Sequence, residues 1–313
     1  MKNPLITIIV VTYNSEQFIL KTLNSILSQD YRNFQIIISD DYSKDNTILL
    51  CKEWILQNSS FCDIQLLLSD KNRGTAYNIN KSLPYIKGEY VKIIAGDDEF
   101  CDNYFSRCVD FFTANPDAYV LTTNVIYIYE GIGKEVQNNP FTSLFHTNKL
   151  NIDEMYHTIM RYNVIFSPTC IMKSDVIREL GGFDERYPLC EDLFFYAKVL
   201  KYGIQIYFID SCLIKYRIHN KSVQRKNDSK IYSQYYIDLL RGKRELFWQE
   251  YGIFERFLEK IRLIICEKIL SNGNDYRIIN KFYLVIDYFI IKLLQVVRIP
   301  YYIKITSHKF GMF

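Results

Sequence analysis

No Cys-x-x-Cys pair occurs among the eight cysteines, which stand at 51, 62, 101, 108, 170, 190, 212 and 266. Their spacing matches no zinc site, and reduced, buried thiols are expected. No Gly-x-Gly-x-x-Gly follows the first apolar run, and no Gly-x-x-x-x-Gly-Lys-Ser/Thr occurs anywhere. A dinucleotide oxidoreductase and a P-loop enzyme are thereby set aside. Long apolar runs are also lacking. Leu5 to Val11 is too short to span a bilayer and has no small-residue cleavage site, while Asp287, Lys292 and Arg298 interrupt the most apolar window of the tail. Tyrosine (26) and phenylalanine (21) are abundant, yet they are spread evenly and accompany no nucleic-acid motif, so they read as packing residues and no nucleic-acid partner is expected.

What is present is a globular chain of 313 residues, 49% hydrophobic, long enough for one large domain or two. Its net charge of +3 hides an asymmetry: residues 1–220 carry 21 Lys and Arg against 26 Asp and Glu, and residues 221–313 carry 17 against 9. An acidic front suits a cation-dependent site, and a basic tail suits an anionic surface. Leu5 to Thr12 is a nearly continuous β-branched run, as in a central parallel strand. Asn14 and Gln17 have capping-box spacing ahead of an apolar helical face through Phe18, Ile19, Leu23, Ile26 and Leu27. The unit then repeats: strands at Phe34–Ser39, Ile64–Leu68 and Glu89–Ala95, with helices at Thr47–Leu56 and through Ala76, Ile79 and Leu83. This alternation predicts a parallel, doubly wound α/β sheet.

Further on, helices are expected at Asn103–Thr113, Ile171–Leu180 and Leu193–Tyr202, and strands at Tyr119–Tyr129, Ile204–Phe208 and Cys212–Tyr216. Residues 130–152 read as a loop that can serve as an active-site flap or an acceptor loop. From about residue 229 the pattern is helical, with apolar stripes through Phe254, Phe257, Leu258, Ile261, Ile265 and Ile269, and through Phe282, Ile286, Phe289, Leu293 and Val297. Such stripes are expected to pack on protein, or to lie on a membrane surface.

The chemistry gathers at strand ends. Asp97, Asp98 and Glu99 follow the strand through Ile93, Ile94 and Ala95, with Gly96 as the turn. Adjacent acids suit a hard divalent ion. Thr12-Tyr13-Asn14 and Asp40-Asp41 also lie just past strands, so a parallel sheet brings all three segments to one edge, where a nucleotide fits. Tyr13 can stack on a base, and an Asp can accept from a ring N–H.

These segments, with others in order, resemble family 2 glycosyltransferases of the GT-A fold: Ile8-Ile9-Val10-Val11-Thr12-Tyr13-Asn14, Ser39 to Thr47, Asn72-Arg73-Gly74, Gly96-Asp97-Asp98, Gly181-Gly182-Phe183-Asp184, Glu191-Asp192 and Tyr216-Arg217-Ile218-His219. The resemblance spans most of the first 225 residues. It implies a Rossmann-like, mostly parallel sheet in residues 1–225 and a helical extension over 226–313 for acceptor, membrane-surface or oligomer contacts. It also implies that Thr12, Tyr13, Asn14, Asp40, Arg73 and Asp97 serve the nucleotide, with Asp97 at the ribose. Asp98 and His219 are then metal ligands for Mn²⁺ or Mg²⁺, Asp192 is the general base of an inverting reaction, and Glu191 and Arg217 lie near diphosphate or acceptor.

The implied activity is non-processive transfer of one sugar, UDP-linked, to a glycan acceptor carried on polyprenyl diphosphate. Its setting is O-antigen, capsule or related polysaccharide synthesis, in the cytoplasm or at the inner face of the cell membrane. Three departures stand out. Tyr42 replaces a small residue, Tyr77 stands where the family often has Arg, leaving Arg73 or Lys81 as substitute cations, and the chain has neither the Gln-x-x-Arg-Trp motif nor the set of spanning helices expected of a processive synthase. A sugar nucleotidyltransferase would be expected to carry Gly and Lys in Leu5–Ser15, which has neither. A silent binding relative would be expected to have lost Asp98 or Asp192, and both are present.

Overall fold

The computed structural model describes residues 3–130, 134–137 (backbone only), 150–162, 165–219 and 230–298. The chain divides into two compact units, Met1–Ile159 with Asn163–His219, and Met160–Tyr162 with Asn220–Phe313.

The first unit is built on a nine-stranded sheet. Strands β1 (Ile6–Thr12), β2 (Phe34–Asp40), β3 (Asp63–Leu68) and β4 (Tyr90–Ala95) alternate with helices α1 (Ile19–Leu27), α2 (Thr47–Asn58) and α3 (Thr75–Ser82). They run parallel in the spatial order β3-β2-β1-β4. The chain winds outward from β1 through β2 to β3 and returns to the other side of β1 with β4. The β1/β4 seam is therefore a topological switch point, where loops leave in opposite directions and open a crevice at the carboxyl ends. Ile6, Ile8, Ile36 and Ile38 are fully buried, as isoleucine runs covered on both faces must be.

Beyond β4 the sheet becomes mixed. Short β5 (Glu99–Phe100), helix α4 (Tyr104–Ala114), long β6 (Val120–Tyr129), β7 (Lys134–Gln137), helix α5 (Ile152–Arg161), β8 (Ile171–Lys173), helices α6 (Ser174–Glu179) and α7 (Glu191–Lys201), and β9 (Ile206–Ile218) follow. The strand order continues β4-β8-β6-β9-β5, with β7 paired to β6. β6 and β9 run parallel, and register shifts at Asn124 mark a bulge.

Several elements differ from the sequence expectation. Ile171–Lys173 is a strand bridging β4 and β6, not the start of a helix, because Val91 and Leu121 offer it ladders on both sides. The two short strands expected near 204–216 are one bulged strand. The expected loop at 130–152 contains β7; residues 131–133 and 138–149 lie outside the described residues. Helix α1 starts at Ile19, and Asn14 does not cap it: Asn14 sits at φ 50° and its Oδ1 accepts from Lys44 N at 2.8 Å, joining the loops after β1 and β2. On α2, Cys51 and Trp54 are buried and Leu49 is 54% exposed.

The second unit contains α8 (Gln234–Phe247), α9 (Ile253–Ser271) and α10 (Ile278–Val297). Ser233 caps α8 by accepting from Tyr236 N at 3.2 Å. An apolar cluster of Leu258, Ile265, Ile269, Ile290 and Leu294 is joined by an ionic one. Arg262 pairs with Asp287 at 3.0 Å, Arg298 with Glu255 at 2.8 Å and Glu259 at 2.7 Å, and Arg161 with Glu255 at 2.9 Å.

Candidate active site

Three loops meet at the switch point. Gly96 N donates to Val11 O at 2.8 Å and Asp41 N to Thr12 O at 2.9 Å, so the ends of β1, β2 and β4 are tied by main-chain bonds before any side chain acts. Gly96 is required there because a Cβ would stand 2.9 Å from Thr12 Oγ1 and 3.1 Å from Ile19 Cδ1. Thr12 is 4% exposed, and its hydroxyl oxygen is buried without a partner among the described residues. Tyr13, next to it, is 47% exposed and free to meet a planar ligand.

Asp40 and Asp41 organise loops. Asp40 is buried, and its carboxylate accepts from Ser43 N at 2.9 Å and Ser43 Oγ at 2.5 Å, while the Ser43 hydroxyl accepts from Asn14 N at 2.8 Å. In this geometry Asp40 shapes the loop after β2. Asp41, to which the sequence reading gave no role, accepts from Arg73 N at 2.9 Å and Gly74 N at 2.7 Å and so fixes the turn into α3. The Arg73 guanidinium pairs with Asp70 at 3.0 Å and lies 4.4 Å from the Tyr77 ring centre. Lys81 donates to Ser69 Oγ at 2.7 Å and to Asp40 O at 3.2 Å, and burial lowers its pKa. Both substitute cations thus have partners within the loops they join. Tyr42 adopts φ 71° and is 39% exposed, with Lys44 Nζ 3.1 Å over its ring.

Arg217 on β9 holds the acidic turn together. Its main-chain N donates to Asp98 Oδ1 at 2.9 Å, its Nε donates to Asp97 O at 3.0 Å, and its two terminal nitrogens pair with Glu99 and Glu130. The guanidinium lies 4.9 Å from the Phe18 ring centre and the residue is 4% exposed. Glu99 is not free for a cation, because its charge is met by Arg217. Arg217, in turn, is enclosed by two carboxylates and a carbonyl, and so organises the turn.

Asp98 is left in an unusual state. It is 1% exposed, and Oδ2 has no hydrogen-bond partner among the described residues. Burial first, and then the Asp97 charge, raise its pKa well above the carboxylate range. A buried carboxylate oxygen without a donor is costly, and a proton or a metal ion relieves it. His219 Nε2 stands 2.9 Å from Asp97 Oδ2, and its ring is 4.8 Å from that of Phe18. Among the described residues no group of three or more His, Cys, Asp or Glu side chains forms a metal cage of its own. A magnesium-type site does not need one, since such ions are held by one or two carboxylates together with substrate phosphates and water. The orphaned Asp98 oxygen fits that chemistry.

Glu191 and Asp192 open α7. Asp192 Oδ1 accepts its own helix's Leu193 N at 2.7 Å. Burial pushes the Asp192 carboxyl up to about 6, and burial together with Asp192 pushes Glu191 up. The loop before α7 lies against the turn after β3, for a Cβ on Gly74 would come within 2.6 Å of Pro188 Cβ. Tyr216 reports the convergence. Its hydroxyl is held above its usual pKa by burial and by the charges of Asp98, Asp97 and Asp192, so one side chain lies in the field of all three acids. Tyr216 also packs edge-on to Phe166 at 4.8 Å and to Tyr127 at 5.9 Å. Sequence reasoning gave Phe166, Tyr127, Glu130 and Phe18 no role; Tyr127 and Glu130 reach the site along β6, Phe166 from the turn before β8, and Phe18 from the start of α1.

Residues 7–181 match the model of glycosyl transferase family 2, more than half of the chain. The chain belongs to that family. An uncharacterized glycosyltransferase of Haemophilus influenzae is 27% identical over 217 residues, covering 69% of this chain and 66% of the relative. A putative teichuronic acid biosynthesis glycosyltransferase of Bacillus subtilis, TuaG, is 25% identical over 70% of this chain and 81% of its own length. With an uncharacterized glycosyltransferase of Rickettsia conorii, 26% identical over 71% of this chain, the match spans only 35% of the relative's length. Among solved structures, the family 2 chain superimposes on S. aureus TarS 1–349 in complex with UDP-GlcNAc with a TM-score of 0.59 at 18% identity, over 83% of this chain and 71% of that one. Pyrobaculum calidifontis mannosyltransferase PcManGT, in complex with GDP-Man and Mn²⁺, gives 0.55 at 16% identity over 99% and 85%. The fold is that of these glycosyltransferases.

Proposed function

We propose that this chain moves one sugar from a nucleotide-diphospho-sugar, UDP-linked, to a hydroxyl of a glycan acceptor, with inversion at the transferred carbon. The carrying observation is the pairing of a buried, unpartnered Asp98 oxygen at the switch point with a second carboxyl, Asp192, raised to about 6, both within the field of Tyr216. Asp98, with His219 as a second donor, would hold Mg²⁺ or Mn²⁺, which when bound supplies charge stabilisation for the departing diphosphate. Thr12 and Tyr13 receive the nucleoside, and Asp97, oriented by His219, takes the ribose hydroxyls.

Asp192 is the base. A carboxylate with a pKa near 6 is ionised at neutral pH yet basic enough to share a hydroxyl proton in the transition state. It accepts that proton as the acceptor oxygen bonds to the anomeric carbon and the carbon–oxygen bond to the diphosphate breaks, releasing the nucleoside diphosphate.

The similarity to a protein named for teichuronic acid biosynthesis supports a bacterial surface polysaccharide as the product class, and with it a lipid-diphosphate-linked acceptor at the inner membrane face. The deciding experiment is calorimetric titration of UDP and GDP with Mn²⁺ and with chelator, on the wild type and on Asp98→Ala. Metal-dependent UDP binding that the substitution weakens by at least about 100-fold is expected, as for loss of a buried charged ligand. Tight GDP binding would move the donor to the GDP-sugars, and no binding of either nucleotide would remove the donor reading.

A further inference from the structure

Helix α10 packs Ile290 and Leu294 inward and carries a second apolar stripe on its outer face. At ~100° per residue, Ile278, Phe282, Val285, Phe289, Leu293 and Val296 fall within an arc of roughly 80°. All six are exposed, between 48% and 88%. Asn280 and Asp287 lie on the opposite side of the wheel and are buried, at 0% and 4%. Asp287 accepts from Arg262 Nε at 3.0 Å, and Asn280 donates to Asp275 O at 2.9 Å. In this reversal polar Asn280 and Asp287 share the inner side with Ile290 and Leu294, while the stripe through Phe282, Phe289 and Leu293 looks outward. α9 repeats the reversal in part, with Glu255, Glu259 and Arg262 buried and Ile253, Phe254 and Phe257 exposed.

Such a pattern costs stability twice in water, through desolvated charges within and hydrated aromatics without. At ~150–250 Å² per aromatic side chain, Phe282, Phe289 and neighbouring Tyr288, each more than half exposed, present roughly 300–400 Å² before the aliphatic residues are added. The charge on this face is of one sign. Lys281 and Lys292 are the exposed charged residues of α10, both on one flank of the stripe, and no exposed acid accompanies them. In a two-fold pair of α10 helices the same lysines would face one another without an acidic partner. An anionic surface with an apolar interior meets both features at once.

We propose that the outer face of α10 docks on an anionic lipid surface, with Phe282 and Phe289 entering the acyl boundary and Lys281 and Lys292 meeting headgroup phosphates. The inference stands on the second unit alone and goes beyond the donor reading, although it suits a lipid-linked acceptor. The test is sedimentation of the full chain with vesicles of phosphatidylcholine alone and of phosphatidylcholine mixed with phosphatidylglycerol. Binding to the mixed vesicles is expected, weakened at least about tenfold in Phe282→Glu/Phe289→Glu. Lys281→Gln and Lys292→Gln should each weaken it by about fivefold at low salt. The lysine variants keep the test open should the glutamates disturb folding. UDP binding measured on the same samples is expected to be unchanged, and its absence in the wild type would count against the donor site and not against this face. Equal sedimentation of wild type and all variants overturns the proposal, as does no sedimentation at all. A dimer that the phenylalanine variants dissociate, with no vesicle binding, assigns the face to a second copy instead.

Discussion

In the first unit Asp98 keeps a buried oxygen without a donor, and Asp192 sits at a helix start where burial holds its pKa at about 6. In the second, Glu255, Glu259 and Asp287 are buried as deeply, yet each meets an arginine within 3.0 Å. The same side-chain type is thus left unneutralised in one place and fully paired in the other. A carboxylate whose partner is missing is ready to bind a cation or a proton, and stability is lost to keep it so. A carboxylate with a buried arginine is committed, and it serves register and packing.

The comparison breaks first at Asp192. Asp192→Asn is expected to lower turnover by about 10²–10⁴-fold, the usual contribution of a positioned base, with UDP affinity nearly unchanged. In the wild type, kcat/KM should rise through about pH 6 as this carboxyl ionises. A loss of UDP binding equal to the loss of turnover would make Asp192 a binding residue instead.

Next comes the network. Arg262→Ala leaves Asp287 and Glu259 without their shared cation and should cost about 3–5 kcal/mol, while Arg262→Met with Asp287→Leu should be close to neutral. Urea unfolding resolves this by unit, since the two tryptophans, Trp54 and Trp248, lie one in each; Trp54→Phe leaves Trp248 to report the second unit. Equal losses in the single and double variants would contradict a paired, structural role.

Asp192→Asn should also stabilise the fold. A carboxyl whose folded pKa is raised binds its proton more tightly in the native state, so stability falls as pH rises from the unfolded value near 4 to about 6, and stays low above that. The variant should therefore exceed the wild type by on the order of 1–3 kcal/mol at pH 7.5 and match it near pH 4, as read by denaturant midpoints.

The smallest effect concerns Lys92 in β4, wholly buried, donating to Cys170 O at 3.0 Å and to Pro168 O. Burial lowers its pKa to about 8. The native state then binds this proton less tightly than the unfolded chain, and stability should rise with pH between about 8 and 10.5, by on the order of 1–3 kcal/mol. Lys92→Met should flatten that slope. A slope that survives in the variant would place the titration elsewhere.

Strands β1 to β4 and their helices were legible because each is announced locally: β-branched runs buried on both faces need no distant partner to be recognised. β8 was not, since three residues carry no period and become a strand only where β4 and β6 flank them. The apolar stripe of α10 left its partner open for a related reason. Periodicity states that a helix has two faces, and it does not state which one the protein covers. Of the site, the motif positions Asp98 and Asp192 could be named in advance, whereas Arg217 could not be recognised as an enclosed organiser. Its partners Glu99 and Glu130 reach it from two other strands.

By itself, then, the sequence determined the alternating α/β order, the carboxylates at strand ends and the family they resemble, because those are properties of short segments and their succession. Only the tertiary structure decided which acids are neutralised and which stay unpaired, and which helix faces look outward. Burial and pairing depend on groups far apart in the chain, and no local pattern encodes their meeting.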